Sequence, residues 1–160
     1  MLLMKFLVRN KDAFRNYEHR SKYLGGLKLS GAEVKSLRAG QGSLQGAYLT
    51  VHRVNNKLDS FQILIKNLYI APYQIKNMPG GYDPNAPRVV LVTKRELREI
   101  QREMNNKGTT LIPLSIGLSN NLIKIEFVLA RGKKIHDKRE TLKVKAQKRD
   151  AAREHSTTLK

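Results

Sequence analysis

Between Leu122 and Ala130 apolar and polar residues alternate, with Ile123, Ile125, Phe127 and Leu129 on one side. That is the two-residue period of a strand with one buried face. A second apolar run, Thr109 to Leu118, reaches it through Asn120-Asn121, so the two predict a hairpin. Ala47 to Val54 and Leu58 to Ile70, rich in Val, Ile, Leu, Phe and Tyr and separated by Asn55-Asn56-Lys57, predict another. Helical patterning occurs twice. Ser30-Gly31-Ala32-Glu33 has the spacing of a capping box and opens a helix at about Gly31 that stops at Gly40, with Val34 and Leu37 inward and Lys35 and Arg38 outward. Thr93 to Glu96 opens the other, in which Leu97, Ile100 and Met104 recur at helical spacing and Gly108 marks the end. Arg95, Arg98 and Arg102 fall on another face of it. Asn10 to Lys22, mixing charge with Phe14 and Tyr17, predicts a short helical turn running into a first strand. Ala71 to Arg88 holds four of the five prolines and Gly80-Gly81, and is a long loop.

Short strands with two interspersed helices give a mainly β protein of the α+β class, a small antiparallel barrel or strongly curved sheet with helices at its ends. No internal repeat is visible. At 160 residues the chain has room for one ordinary domain. The pattern changes after Arg131. Residues 132–160 carry ten Lys or Arg and four Asp or Glu, a net charge of +6, with only Ile135, Leu142, Val144 and Leu159 as sizeable apolar side chains. Such a segment cannot offset its ordering entropy by burial. The expected organisation is therefore a domain over residues 1–131 and a basic tail over residues 132–160 that folds, as a helix, on a phosphate-rich surface.

Charge narrows the choice of partner. Lys and Arg number 31 against 13 Asp and Glu, a net charge of +18 and a pI near 10.4. A polyanion gains affinity by releasing counterions for each phosphate neutralised, so nucleic acid leads and anionic membrane is the rival. No apolar run approaches the roughly 20 residues of a membrane span, and Met1 to Val8 lacks the charge and cleavage pattern of a secretory signal. The chain has no cysteine, which excludes disulfides and thiolate chemistry and fits the cytoplasm.

Catalytic chemistry finds little support. His19, His52, His136 and His155 are scattered, and Glu96, Glu99 and Glu103 are interleaved with Arg95, Arg98 and Arg102, which suits surface ion pairing. There is no phosphate loop and no nucleophile elbow. No enzyme, metal site or cofactor is expected, and nothing suggests a dimer face, so a monomer is expected. On spacing alone Lys35 and Arg38 are equally a solvated face or an RNA contact, and total charge favours RNA. Tyr73 and Tyr82, in the Pro-Gly loop, are the candidate stackers on bases.

The segment Leu29-Ser30-Gly31-Ala32-Glu33-Val34-Lys35-Ser36-Leu37-Arg38-Ala39-Gly40 resembles the G-x-E-V-K-S-L-R-x-G signature of the small protein B family. Ile70-Ala71-Pro72-Tyr73, Asp83-Pro84, Lys94-Arg95-Glu96-Leu97 and Ala130-Arg131-Gly132-Lys133-Lys134-Ile135-His136-Asp137-Lys138-Arg139 follow in matching order, so the resemblance spans nearly the whole chain. It implies a closed antiparallel barrel resembling an oligonucleotide-binding fold, which holds the transfer-RNA-like part of transfer-messenger RNA (SsrA RNA). The family delivers that RNA to stalled ribosomes for trans-translation in the bacterial cytoplasm. It also implies a tail, disordered when free, that becomes helical in the small-subunit decoding centre and empty messenger channel.

Carried over by residue, Asn10, Glu33, Lys35, Arg38 and Leu91 match positions at or near the family's RNA-binding surface, and Lys94 and Arg95 join them from the matched helix start. Glu33 and Leu91 are also open to a structural reading. Gly132, Lys133, Lys134, His136, Asp137, Lys138 and Arg139 match the ribosome-binding tail motif, with His136 a candidate to stack on a ribosomal base. The chain departs from the family pattern at Leu24-Gly25-Gly26, where many members carry an acidic residue followed by Ala-Gly. Either Glu33 substitutes for that acidic contact or the contact is dispensable. On composition alone, a basic structural ribosomal protein or a general RNA-binding protein fits equally well.

Overall fold

Asn120 and Asn121 both adopt positive φ, 48° and 61°, the turn geometry that matches the twist of two antiparallel strands. They join the two longest strands of the late half, Thr109–Ser119 and Leu122–Gly132. The computed structural model of the chain describes residues 4–54, 60–74, 76 and 80–132. In chain order its elements are β1 (Lys5–Arg9), α1 (Ala13–Asn16), β2 (Tyr17–Leu27), α2 (Gly31–Arg38), β3 (Gly42–Ser43), β4 (Tyr48–Arg53), β5 (Phe61–Lys66), β6 (Tyr69–Ile70), β7 (Arg88–Leu91), α3 (Lys94–Met104), β8 (Thr109–Ser119) and β9 (Leu122–Gly132).

Seven strands form one antiparallel sheet in the order β1-β8-β4-β5-β7-β2-β9, and β8 also pairs with β9. Six of them, β8, β4, β5, β7, β2 and β9, thus close a cycle of pairings, with β1 laid along β8 outside it. The fold is mainly β with helices, an α+β protein. Leu49, Ile63, Ile65, Leu111, Ile116, Ile125 and Phe127 fill the core, and α2 and α3 contribute Leu37 and Ile100. Phe127 stacks on Tyr23 with ring centroids 5.6 Å apart. Close approach is built in at Gly42, where a Cβ would come within 2.5 Å of Leu37 Cδ2, and at Gly25, where it would come within 2.8 Å of Val90 Cγ1.

The β8–β9 hairpin, the antiparallel pairing of β4 with β5 and both capped helices stand where the sequence predicts them, while the predicted turn Asn55-Asn56-Lys57 lies outside the described residues. Each capping box is reciprocal, Ser30 with Glu33 and Thr93 with Glu96. Four differences each have a structural cause. The strand after the helical turn is the second, because Lys5–Arg9 already pairs with β8. The run to Ile70 breaks at Asn67, whose φ of 57° ends β5 and sends Tyr69–Ile70 to pair with β3. Arg88, read as the last residue of the long loop, is the first residue of a strand, Arg88–Leu91. Helix α3 ends at Met104, and Gly108, with φ of 80°, serves the turn into β8. Strand β9 also buries more than one face. Val128 and Ala130 lie under α1, in a second small cluster with Ala13, Ile112, Leu114 and half-buried Tyr17. Among the described residues, no helix is long and apolar enough to cross a membrane.

Candidate nucleic-acid interface

Helix α2 is fixed to the loop that follows β6 from underneath. The Ser30 hydroxyl accepts from Glu33 N, and Glu33 Oε2 accepts from Ser30 N at 2.8 Å. The other carboxylate oxygen, Oε1, accepts from Arg88 Nε at 2.9 Å and from Arg88 Nη2 at 2.8 Å. Arg88 is buried at the start of β7, and its Nη1 donates to the carbonyls of Leu68 (2.5 Å) and Pro84 (2.9 Å). Nη2 also reaches the Tyr82 hydroxyl at 3.3 Å, and Tyr82 donates to the Ile70 carbonyl at 2.9 Å. Burial pushes the Tyr82 pKa up from its ordinary value. Ser36 closes the contact with a 2.6 Å bond to the Ala71 carbonyl.

With its underside so held, α2 turns Lys35 and Arg38 to solvent. Lys35 Nζ lies 5.7 Å from the centroid of the Tyr73 ring, within cation–π range, and Tyr73 is 41% exposed. Arg38 Nη2 donates to the Asn121 carbonyl at 3.1 Å, tying α2 to the β8–β9 turn. Two cations and an aromatic ring therefore share one surface, a combination suited to phosphates and an unstacked base. Of the two candidate stackers, Tyr73 is on this surface, whereas the Tyr82 hydroxyl is bonded inside the loop.

The other predicted residues divide. Leu91 is 56% exposed on β7, opposite Gly26 of β2, and Leu24 on β2 is 44% exposed. Lys94 and Arg95 are exposed at the start of α3. Glu33 and Asn10 have internal partners. Asn10 Nδ2 donates to the Pro113 carbonyl at 2.9 Å and its Oδ1 accepts from Asp12 N at 3.2 Å, which pins the end of β1 to the bulge where Pro113 interrupts the β8 ladder. Gly132 is exposed at the end of β9, where it pairs with Tyr17. Lys133, Lys134, His136, Asp137, Lys138 and Arg139 lie outside the described residues.

Sequence reading passed over Arg88. Its signal was a cation at the head of the apolar run Val89-Val90-Leu91, where a strand demands a buried partner for it. The ion pairing read on α3 is also corrected. Glu96 accepts from Thr93 Oγ1, Glu99 from the Tyr23 hydroxyl at 2.9 Å and Glu103 from Asn106. Among the described residues the ion pairs are Arg15–Asp12, Lys22–Glu126 and Arg88–Glu33, none on that helix. Among the described residues, no group of three or more His, Cys, Asp or Glu could hold a metal ion.

Residues 7–157 match the model of the family described as SmpB protein. The chain belongs to the SmpB family. Similar proteins include an SsrA-binding protein of Carboxydothermus hydrogenoformans, 36% identical over 156 residues and covering 98% of this chain and 97% of that one. Another, from Gloeobacter violaceus, is 38% identical over 149 residues, 93% of each chain. Among solved structures, a chain from "tmRNA-SmpB: a journey to the center of the bacterial ribosome" matches with a TM-score of 0.59 and 35% identity, covering 84% of this chain and 85% of that one. Membership covers the α2 signature, the loop it packs on and the segment beyond Gly132 alike.

Proposed function

We propose that this SmpB-family chain binds SsrA RNA, the transfer-messenger RNA, and carries it to ribosomes in trans-translation. The observation that carries the reading is the outward face of α2, where Lys35 and Arg38 sit beside exposed Tyr73 over a buried Glu33–Arg88 pair. The cycle of strands is read as a closed OB-like barrel whose rigidity presents that face, with Leu91, Lys94 and Arg95 as further contacts. Asn10 and Glu33 act on RNA indirectly, by holding β1 and α2 in place. Binding, not catalysis, is the activity, and it requires no cofactor.

Phosphate neutralisation supplies most of the affinity, and shape fixes the register. Residues 132–160 form the second functional unit. Lys133, Lys134, His136, Asp137, Lys138 and Arg139 engage the small-subunit decoding centre and the messenger channel once the RNA is in place, and Gly132 is the joint. Such a protein works as a monomer in the bacterial cytoplasm. The test is a gel shift of transfer-messenger RNA and bulk transfer RNA with wild type and with K35E/R38E, at near-physiological salt. Wild type should prefer transfer-messenger RNA, and the double variant should lose at least about tenfold of that affinity, the loss of two charge-assisted contacts at about 1.4 kcal/mol per decade. An unchanged shift removes α2 from the interface.

A further inference from the structure

Helix α3 carries a surface that the α2 face does not use. Leu97, Ile100 and Met104 pack on the core, which leaves Arg98 and Arg102 exposed. With Lys94 they form a row of cations at four-residue spacing, an arrangement that destabilises a helix. No carboxylate of the described residues pairs with them, since the glutamates of α3 bond to Thr93, Tyr23 and Asn106. Arg98, Gln101, Arg102 and Asn105 line one side of a groove of about 700 Å³, and Thr50 of β4 and Phe61 of β5 line the other. Among the described residues, no acidic side chain lines it. The Thr50 hydroxyl is buried without a hydrogen-bond partner.

We propose that this groove is a second nucleic-acid site, which takes a short single-stranded RNA segment with a base against Phe61 and neighbouring phosphates on Arg98 and Arg102. The two guanidinium groups start one helical turn apart, about 6 Å along the axis, comparable to the separation of successive phosphates in an extended strand. Each can fork onto a phosphate, and an aromatic face accepts any base. Gln101 and Asn105 add amide donors and acceptors for base edges or sugar hydroxyls. An acidic peptide would satisfy the arginines but leave the ring and the amides without a role. The proposal shares with the proposed function RNA as the ligand and the first turn of α3, where Lys94 stands, but none of the residues that line the groove.

The probe is a short fluorescent oligouridine, titrated with full-length protein at several salt concentrations and read by anisotropy. R98E/R102E should weaken binding at least about tenfold and lower the salt slope by about 1.4, which is two single-strand phosphates at about 0.7 each. F61L, which keeps the bulk but loses the ring, should weaken it about tenfold, within the range for one base stack, at an unchanged slope. K11E/R20E, a charge reversal of the same size at exposed residues that line neither the groove nor the α2 face, should bind the probe within about twofold of wild type. Circular dichroism confirms that each variant is folded. The groove is refuted if wild type does not bind the probe, or if R98E/R102E binds it as wild type does. It is refuted equally if both charge-reversal pairs weaken it alike, or if polyglutamate displaces it as well as unlabelled oligouridine does, since either result means charge alone. Transfer-messenger RNA titrated in parallel decides the proposed function separately.

Discussion

Burying a guanidinium is costly unless its charge is paired and its donors are satisfied, and Arg88 meets both conditions through Glu33, Leu68, Pro84 and Tyr82. Its side chain is only 4% exposed and that of Glu33 11%. Arg88→Met should therefore cost about 3–5 kcal/mol in urea unfolding, because it strands the Glu33 carboxylate. Adding Glu33→Leu should recover part of that loss, although the cap on Ser30 N goes with it; a single-variant loss under about 1 kcal/mol would mean the pair is not holding α2. Tyr23 gives a pH signature. Burial, aided by its bond to Glu99, pushes its pKa up to about 12. An unfolded tyrosine titrates near 10, so between about pH 10 and 12 the unfolded state binds fewer protons than the native one and stability falls. Tyr23's contribution is complete below pH 10 and gone above 12. Tyr23→Phe should flatten that part of the stability–pH curve, checked by urea midpoints across the range.

Elements written by local rules were legible in the sequence. Two capping boxes and the Asn120-Asn121 turn each use contacts within a few residues, and the outward placement of Lys35 and Arg38 follows from helical spacing alone. Strands β1, β3, β6 and β7 were not legible, since each is short and exists through a distant partner, as Gly42 does through Ile70. The same holds for the site. That Tyr73 meets Lys35 depends on Ser36 reaching Ala71, 35 residues away, which no local pattern encodes. That Glu99 of α3 is engaged elsewhere depends on Tyr23, 76 residues away. The basic segment after Gly132 was read from composition alone and lies outside the described residues, so its role belongs to the proposal. His136→Ala should leave transfer-messenger RNA affinity unchanged while reducing peptide tagging on stalled ribosomes, by about tenfold for one base stack. A matching drop in RNA affinity would place His136 on the RNA instead.

At the scale of the molecule, a net charge of +18 is spread over a cycle of strands and a basic C-terminal sequence, and the two need not act on the same polyanion. Salt dependence separates them, because each phosphate neutralised adds about 0.7–0.9 to the slope of log affinity against log salt. A chain stopped after Gly132 keeps the pairing of Gly132 with Tyr17, so β9 and the sheet are intact, while ten cations and four anions are lost. If the described residues alone hold transfer-messenger RNA, the slope for that RNA should stay within about one of the full-length value. The slope for vacant small subunits should then fall by several, since the tail's cations would face ribosomal phosphates in the channel. A fall of several in the slope for transfer-messenger RNA itself would show that the tail binds the same RNA as α2, and the division of labour at Gly132 would have to be abandoned.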